Sequence, residues 1–433
     1  MSSSDFFVLL FSNLDNFLIA LFLTSFVYIV LIKIFTEGVL DPLFMVFIYS
    51  AFCFFTVLIL FFNDAIQGRY LFSYLSTQFS LYLGMAFFGS KIGFIQKRRN
   101  TETNRSVIDL NAKLIFYFFT MLFVTSQLYI FFTQGFPIFM PSRLDYLSST
   151  AGLIKVFSRI KDLIFIPYLI CLFYMLSYGS KYLNRLSIVL ILFTVFSVVM
   201  NGGKSSLILI ASVFFIYSLY ITKNNDFKSV FFIKRNVKKI LLISIFAALF
   251  ISFLTISEVN PFILIYYRLF SSGDVYFMSY PNGIIESLKN NNEWYINLFS
   301  SPLSIFGLLD AGFKTENIGF TLKNITEGVQ SNTGPNSRFN IVAYLYLSPL
   351  SSMLFSFLIG LFISAARVLF YKKIKFSLNS LIVYASLVFS ACRFETDYFN
   401  AQSNLINNFF VFFILVAIWS FCNIVKKGSN VEK

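Results

Sequence analysis

The sequence predicts an all-α polytopic membrane protein with about 11 transmembrane helices and a large, partly helical outer loop between spans 8 and 9. Three observations lead there. The 433-residue chain is 57% hydrophobic and 12% charged, more apolar surface than a water-soluble core can hide. Apolar stretches of ~20 residues, long enough to cross a hydrocarbon core, recur along it. Lysines and arginines collect in alternate connections, as the positive-inside rule requires.

The apolar segments fall at about 13–34, 42–62, 71–94, 112–133, 162–180, 186–201, 206–222, 239–258, 341–364, 378–393 and 403–425. The stretch 186–222 also fits one long re-entrant pair. Basic residues cluster around Lys97, Arg98, Arg99 and Arg105, at Lys181 and Arg185, from Lys223 to Lys239, from Arg367 to Lys375, and at Lys426 and Lys427. Under strict alternation these share one side, which is then the cytoplasm. The N-terminus falls outside and the C-terminus inside. Net charge divides as +16 inside and −2 outside, which together make the formal +14. The basic balance is therefore topological, and no nucleic-acid partner is expected. The first apolar run has no basic n-region before it and no small-residue cleavage site after it, so no cleavable signal peptide is expected.

Composition also closes off chemistry. Without a single histidine there is no Ser-His-Asp triad, no HExxH zinc site and no His-ligated haem. Cys53, Cys171, Cys392 and Cys422 lie in or beside apolar runs with no CxxC spacing, and read as small buried residues. Sixty-one Phe beside two Trp read as generic lipid-facing bulk. The chain is expected to form a single multi-pass membrane domain over 1–433, without internal repeats or a soluble domain.

Two connections on the outer side are long enough to hold function. The smaller, 134–161, carries Arg143, Asp145, Lys155, Arg159 and Lys161. Lys155 and Arg159 share a helical face, which suits an interfacial helix on anionic lipid or an anchor for the fifth span. The larger, 259–340, is rich in aromatic and aliphatic residues, poor composition for disorder, and is expected to fold into short helices on the outer face.

Cations beside apolar segments on the outer side carry a desolvation cost and need a reason. Lys204 sits in Asn201-Gly202-Gly203-Lys204-Ser205-Ser206, where glycines allow a sharp turn that presents amides to an anion. It lacks the GxxxxGK[ST] spacing of a phosphate-binding loop, and a tight turn with a snorkelling lysine accounts for it equally. Arg268, in Tyr266-Tyr267-Arg268-Leu269-Phe270, and Arg338, in Gly334-Pro335-Asn336-Ser337-Arg338-Phe339-Asn340, bracket the large loop at its membrane ends. A guanidinium stays charged and offers a fork of donors matched to phosphate oxygens, so the pair suits a lipid-phosphate clamp. Ion pairing with Glu258, Asp274 or lipid headgroups is the simpler alternative. Arg393-Phe394-Glu395-Thr396-Asp397, in the outer connection between the last two spans, offers a general base beside a cation, a divalent-metal site, or an ordinary solvated loop.

Taken together, the spans, the dominant loop after the eighth, the Gly-Gly-Lys-Ser turn after the sixth, Gly334-Pro335-Asn336 and the Arg-Asp connection resemble the Wzy-type polymerases of bacterial O-antigen and related surface polysaccharides. The resemblance is topological over nearly the whole chain, with short motifs. It implies a location in the bacterial inner membrane and transfer of a growing glycan, at the periplasmic face, from its undecaprenyl diphosphate to a hydroxyl of the next lipid-linked repeat unit. By position, Arg268, Arg338 and Arg393 would neutralise the diphosphate leaving group with Lys204 assisting. Asp274, Asp397 and Glu395 are the candidate bases, and Arg143, Arg159, Asn336 and Tyr267 are candidate substrate contacts. Expected partners are the undecaprenyl-diphosphate-linked oligosaccharide, membrane lipid and a polysaccharide chain-length regulator. No cofactor or metal is expected. Related ligases use an outer-loop histidine, so its absence turns the reading towards a polymerase. The alternative is a flippase for the same lipid-linked oligosaccharide, which would need symmetric halves around a midplane cavity.

Overall fold

A computed structural model describes residues 1–92, 110–139, 152–202, 204–223, 270–289, 294–309, 318–328, 334–374 and 377–431. Among these residues there is no strand, and helices dominate. Two compact units form. The first comprises Met1–Ile92, Val259–Lys372 and Val388–Ile406, and the second Gly93–Glu258, Lys373–Leu387 and Asn407–Lys433.

The first unit opens with α1 (Ser3–Ser12), a short helix the hydropathy reading passed over although its capping box is local. The Ser2 hydroxyl accepts from Asp5 N–H, and the Asp5 carboxylate accepts from Ser2 N–H. Helix α2 (Leu14–Phe35) follows, capped by Asn13. Helix α3 (Pro42–Phe62) starts where the sequence signals it, with Asp41 as N-cap and Pro42 in the first turn. Helix α4 (Gly68–Ala86) completes the first run.

In the second unit, α5 (Leu110–Gln134) packs along α6 (Leu153–Tyr178), with Phe123 stacked on Tyr168 at 4.2 Å between ring centres. Helix α6 is continuous from Leu153, so Lys155 and Arg159 belong to the start of the predicted fifth span, and no separate interfacial helix forms. Helices α7 (Lys181–Met200) and α8 (Lys204–Lys223) are distinct, and Gly202 takes a left-handed φ of 64° in the turn between them.

Returning to the first unit, the chain enters α9 (Asp274–Ser279), passes through further short helices including α10 (Ile318–Glu327), and reaches α11 (Phe339–Tyr346) and α12 (Pro349–Ser364). Helix α12 continues through a π turn at Ala365–Leu369 to Lys373. Helices α13 (Leu378–Thr396) and α14 (Tyr398–Val431) contribute to both units.

Seven helices among the described residues are long and apolar enough to cross a membrane: Leu14–Phe35, Pro42–Phe62, Leu110–Phe139, Leu153–Tyr178, Lys181–Met200, Pro349–Lys373 and Tyr398–Val425. This is a membrane-embedded, all-helical protein. Helices α4, α8 and α13 coincide with three more of the segments read from sequence, and the segment at 239–258 lies outside the described residues.

Within the first unit, α4 and α12 run parallel in close contact. Gly84 and Gly360 make this possible: a Cβ on Gly84 would sit 2.2 Å from Phe357 O, and one on Gly360 would sit 2.0 Å from Leu81 O. Helix α11 runs the opposite way. Asn340 bonds Thr77 and Gln78 in the middle of α4, whereas Tyr344 packs on Tyr70 near its start. Helix α9 climbs beside it, with Tyr276 against Tyr74 and Tyr280 stacked on Tyr70.

The apolar segment read as one span at 341–364 is therefore two elements. The short α11 rises through the bundle, the chain reverses at Leu347 and Ser348, and α12 descends. The large loop also departs from expectation. Its short helices do form, but Val275, Tyr276, Phe277, Met278 and Tyr280 are buried inside the unit and do not lie on an outer face.

The opposite end of this unit holds a second correction. Arg367, counted among loop charges, is buried in the π turn, where it pairs with the buried Asp41 carboxylate and donates to Phe35 O at 3.1 Å.

Candidate functional site

The feet of α9 and α11 meet about 15 Å along α4 from Gly68, ten residues at 1.5 Å each. Arg338, the residue before α11, is only 4% exposed there. Its guanidinium Nη1 donates to Ser50 Oγ of α3 at 3.3 Å. The same hydroxyl donates to Glu395 Oε1, and Glu395 is 1% exposed. Gln78 Nε2 donates to Glu395 Oε1 at 3.0 Å and to Tyr82 OH at 2.7 Å. The Gln78 carbonyl oxygen accepts from Asn340 Nδ2 at 3.1 Å, and Asn340 Oδ1 accepts from Tyr276 OH at 2.9 Å. One polar network thus links α3, α4, α9, α11 and α13.

Buried charges persist only where they are paired and hydrogen-bonded. Here the arginine and the glutamate are bridged by one serine hydroxyl, not placed in direct contact. Capacity is left over, because Arg338 Nε and Glu395 Oε2 have no hydrogen-bond partner among the described residues. Leaving a buried donor or acceptor unmet costs about 1–3 kcal/mol, so the centre is under-satisfied in a way a bound anion or hydroxyl would relieve.

Two more carboxylates feel the Arg338 charge. Burial pushes the Asp274 carboxyl up to about 7, against the opposing pull of the Val275 N–H at 2.8 Å and of Arg338. Burial also raises Asp397 above the usual carboxylate range, opposed by the Asn400 N–H at 3.2 Å and by the charges of Arg393 and Arg338.

A cavity of about 370 Å³ is lined by Asn336 and Ser337, the two residues before Arg338, and by Asp397, Asn400 and Ser403 among others. Its walls are tied together through the backbone. Tyr398 N–H donates to Ser337 O at 3.0 Å, and Ser301 Oγ donates to Phe399 O at 3.1 Å. Gly334 and Gly319 lie so close that a Cβ on Gly334 would sit 2.2 Å from Gly319 O, so the strand of chain leading to Arg338 is held against the start of α10.

The structure thus brings together Arg338, Glu395, Asp274, Asp397 and Asn336 in one unit. Arg393 and Glu395 prove to lie in the last turn of α13, and of the Arg393–Asp397 motif only Asp397 belongs to the connection. Glu395, a candidate base, is buried and engaged by Ser50 and Gln78, so the alternative of an ordinary solvated loop does not hold for it. Arg159 lies in α6 of the second unit. Lys204 begins α8 and its side chain lies outside the described residues, as do Arg143, Tyr267 and Arg268.

Sequence reasoning missed Ser50, Gln78, Asn340 and Tyr276. The available signal was a polar side chain inside an apolar span, Gln78 above all, since such residues face the bundle interior.

Comparison with known proteins returns no match: no family model, no curated protein and no solved structure is significantly similar to this chain.

Proposed function

We propose that the chain is a membrane glycosyltransferase that polymerises undecaprenyl-diphosphate-linked oligosaccharide repeat units in the bacterial inner membrane, with the Gly68 end of the first unit facing the periplasm and the C-terminus in the cytoplasm. The observation that carries this reading is Arg338: a buried, permanently charged fork with an unmet donor, beside three carboxylates and a polar cavity.

In the reaction, the oxygen of an acceptor hydroxyl bonds to the anomeric carbon of the donor glycan. The bond from that carbon to the diphosphate oxygen breaks, and undecaprenyl diphosphate leaves with the electron pair. Arg338 faces the charge that develops on the leaving oxygen, where a preorganised cation lowers the barrier. The acceptor proton passes to a carboxylate. Glu395 is occupied by two donors, which leaves Asp397 and Asp274 for that role. A chain-length regulator is the expected protein partner.

One observation favours a second reading. Arg338 and Glu395 sit deeper than an outer-face clamp requires, as the charged residues of a lipid-linked oligosaccharide transporter would. The full chain, purified in detergent micelles with a synthetic undecaprenyl-diphosphate repeat unit, separates the two. A transferase builds a ladder of polymer there, roughly 100-fold weaker in Arg338→Lys and lost in Arg338→Ala. Absence of polymer in micelles, with translocation of the repeat unit in liposomes, would establish the transporter instead.

A further inference from the structure

Resting on the transferase reading, we propose that the cavity beside Arg338 is the subsite for a neutral sugar of the acceptor glycan, not for the lipid diphosphate. The argument is the chemistry of its lining. The Ser301 and Ser403 hydroxyls, which donate to Phe399 O at 3.1 and 3.2 Å, keep lone pairs that accept, while the Ser337 hydroxyl and the amides of Asn336 and Asn400 bring donors as well. Phe320 and Phe399 contribute apolar ring surface.

A diphosphate would demand cations. None of the lining residues is Lys or Arg, and the one charged member, Asp397, repels an anion. A lipid tail would demand an apolar lining, which the serines and asparagines deny it. The ligand class that combines many hydroxyls, no charge and an apolar ring face is a carbohydrate. The volume, about 370 Å³, falls near the lower end of small-molecule sites and suits about one or two sugar rings.

The site is also preformed. The Ser337–Tyr398 backbone bond and the Ser301–Phe399 bond fix two walls, and Gln402 Nε2 holds Leu298 O at 2.9 Å and Tyr398 OH at 2.8 Å behind them. Asp397, itself in the lining, accepts from Asn400 N–H at 3.2 Å through Oδ1, which holds its carboxylate in place. A sugar hydroxyl donating to that carboxylate would stand beside the Arg338 centre, because Asn336 and Ser337, which line the cavity, directly precede Arg338 in the chain. The cavity therefore divides labour with Arg338: one holds the incoming hydroxyl, the other the departing phosphate.

The test uses the detergent-solubilised full chain and saturation-transfer NMR with free glucose, galactose, N-acetylglucosamine and rhamnose, with sodium pyrophosphate as the anionic competitor. Asn400→Trp and Ser403→Phe fill the cavity from two independent positions, and circular dichroism and gel filtration check that each variant is folded. At least one neutral sugar is expected to show saturation transfer that falls at least fivefold in both variants and survives pyrophosphate. No transfer from any of the four sugars, transfer that persists in both folded variants, or displacement by pyrophosphate overturns the subsite. Failure here is distinct from failure of the transferase reading: wild-type protein that builds polymer while its sugar signal ignores both variants loses only the subsite. A protein that builds no polymer but loses its sugar signal in both variants keeps the subsite and loses the transferase.

Discussion

Replacing Glu395 by Gln removes one charge from the buried centre and leaves the shape of the side chain nearly unchanged. The hydrogen bonds that meet at Ser50 Oγ, 3.3 Å from Arg338 and 2.5 Å to Glu395, place the two charges no more than about 6 Å apart. At an effective dielectric of about 20, their attraction is about 3 kcal/mol. Glu395→Gln alone is expected to destabilise by about 3–5 kcal/mol, because it strands the Arg338 charge in the interior, and Arg338→Met should do the same by stranding the carboxylate. The double variant is expected to cost less than the two single costs together, with a coupling energy of about 3 kcal/mol. The assay is equilibrium unfolding in mixed micelles, followed by far-ultraviolet circular dichroism, for wild type, both single variants and the double. A coupling below about 0.5 kcal/mol, the range of independent sites, would refute the bridged pair and with it the account of why Arg338 is held where it is.

Other consequences can be measured on the same preparation. Gly84→Val puts side-chain atoms where Phe357 O and Leu361 N already lie, so α4 and α12 must part, and a loss of several kcal/mol and a lowered melting temperature are expected; an unchanged melting temperature would show that the two helices do not touch. Asp274 carries a folded-state pKa of about 7 against an ordinary 3.8, so between those values the folded chain holds a proton that the unfolded chain has released. Stability should therefore fall as pH rises through that window, by about 4 kcal/mol in all, and Asp274→Asn should flatten the slope of melting temperature against pH; an unaltered slope would mean that Asp274 does not titrate there.

Much of the helical plan was visible in the residues, because length and hydropathy are what a bilayer selects for. Asp41-Pro42 marks the start of α3 at the expected residue. The re-entrant α11 was not legible in the same way. Phe339–Tyr346 and Pro349–Ser364 are both apolar, and a hydropathy window fuses them into one stretch. The break was written in Ser348-Pro349, an N-cap hydroxyl followed by a first-turn proline, which marks a new helix start. Arg338 stands out in the sequence because an outer-side cation at the edge of a span needs a reason. Its bridge to Glu395 was not legible, since the two are distant in sequence and meet only through Ser50 on a third helix. Arg367 shows the opposite error. A charge count treats every basic residue near a helix end as solvated, yet this one is buried against Asp41.

Helix α11 has eight residues and so is about 12 Å long, far short of the ~30 Å hydrocarbon core. Alone it cannot cross the bilayer, so it holds its depth only through its neighbours: Asn340 bonded to Thr77 and Gln78 at its foot, and Tyr344 packed on Tyr70 towards its end. A substitution that weakens α4 therefore loosens Arg338 as well, although the two do not adjoin in sequence.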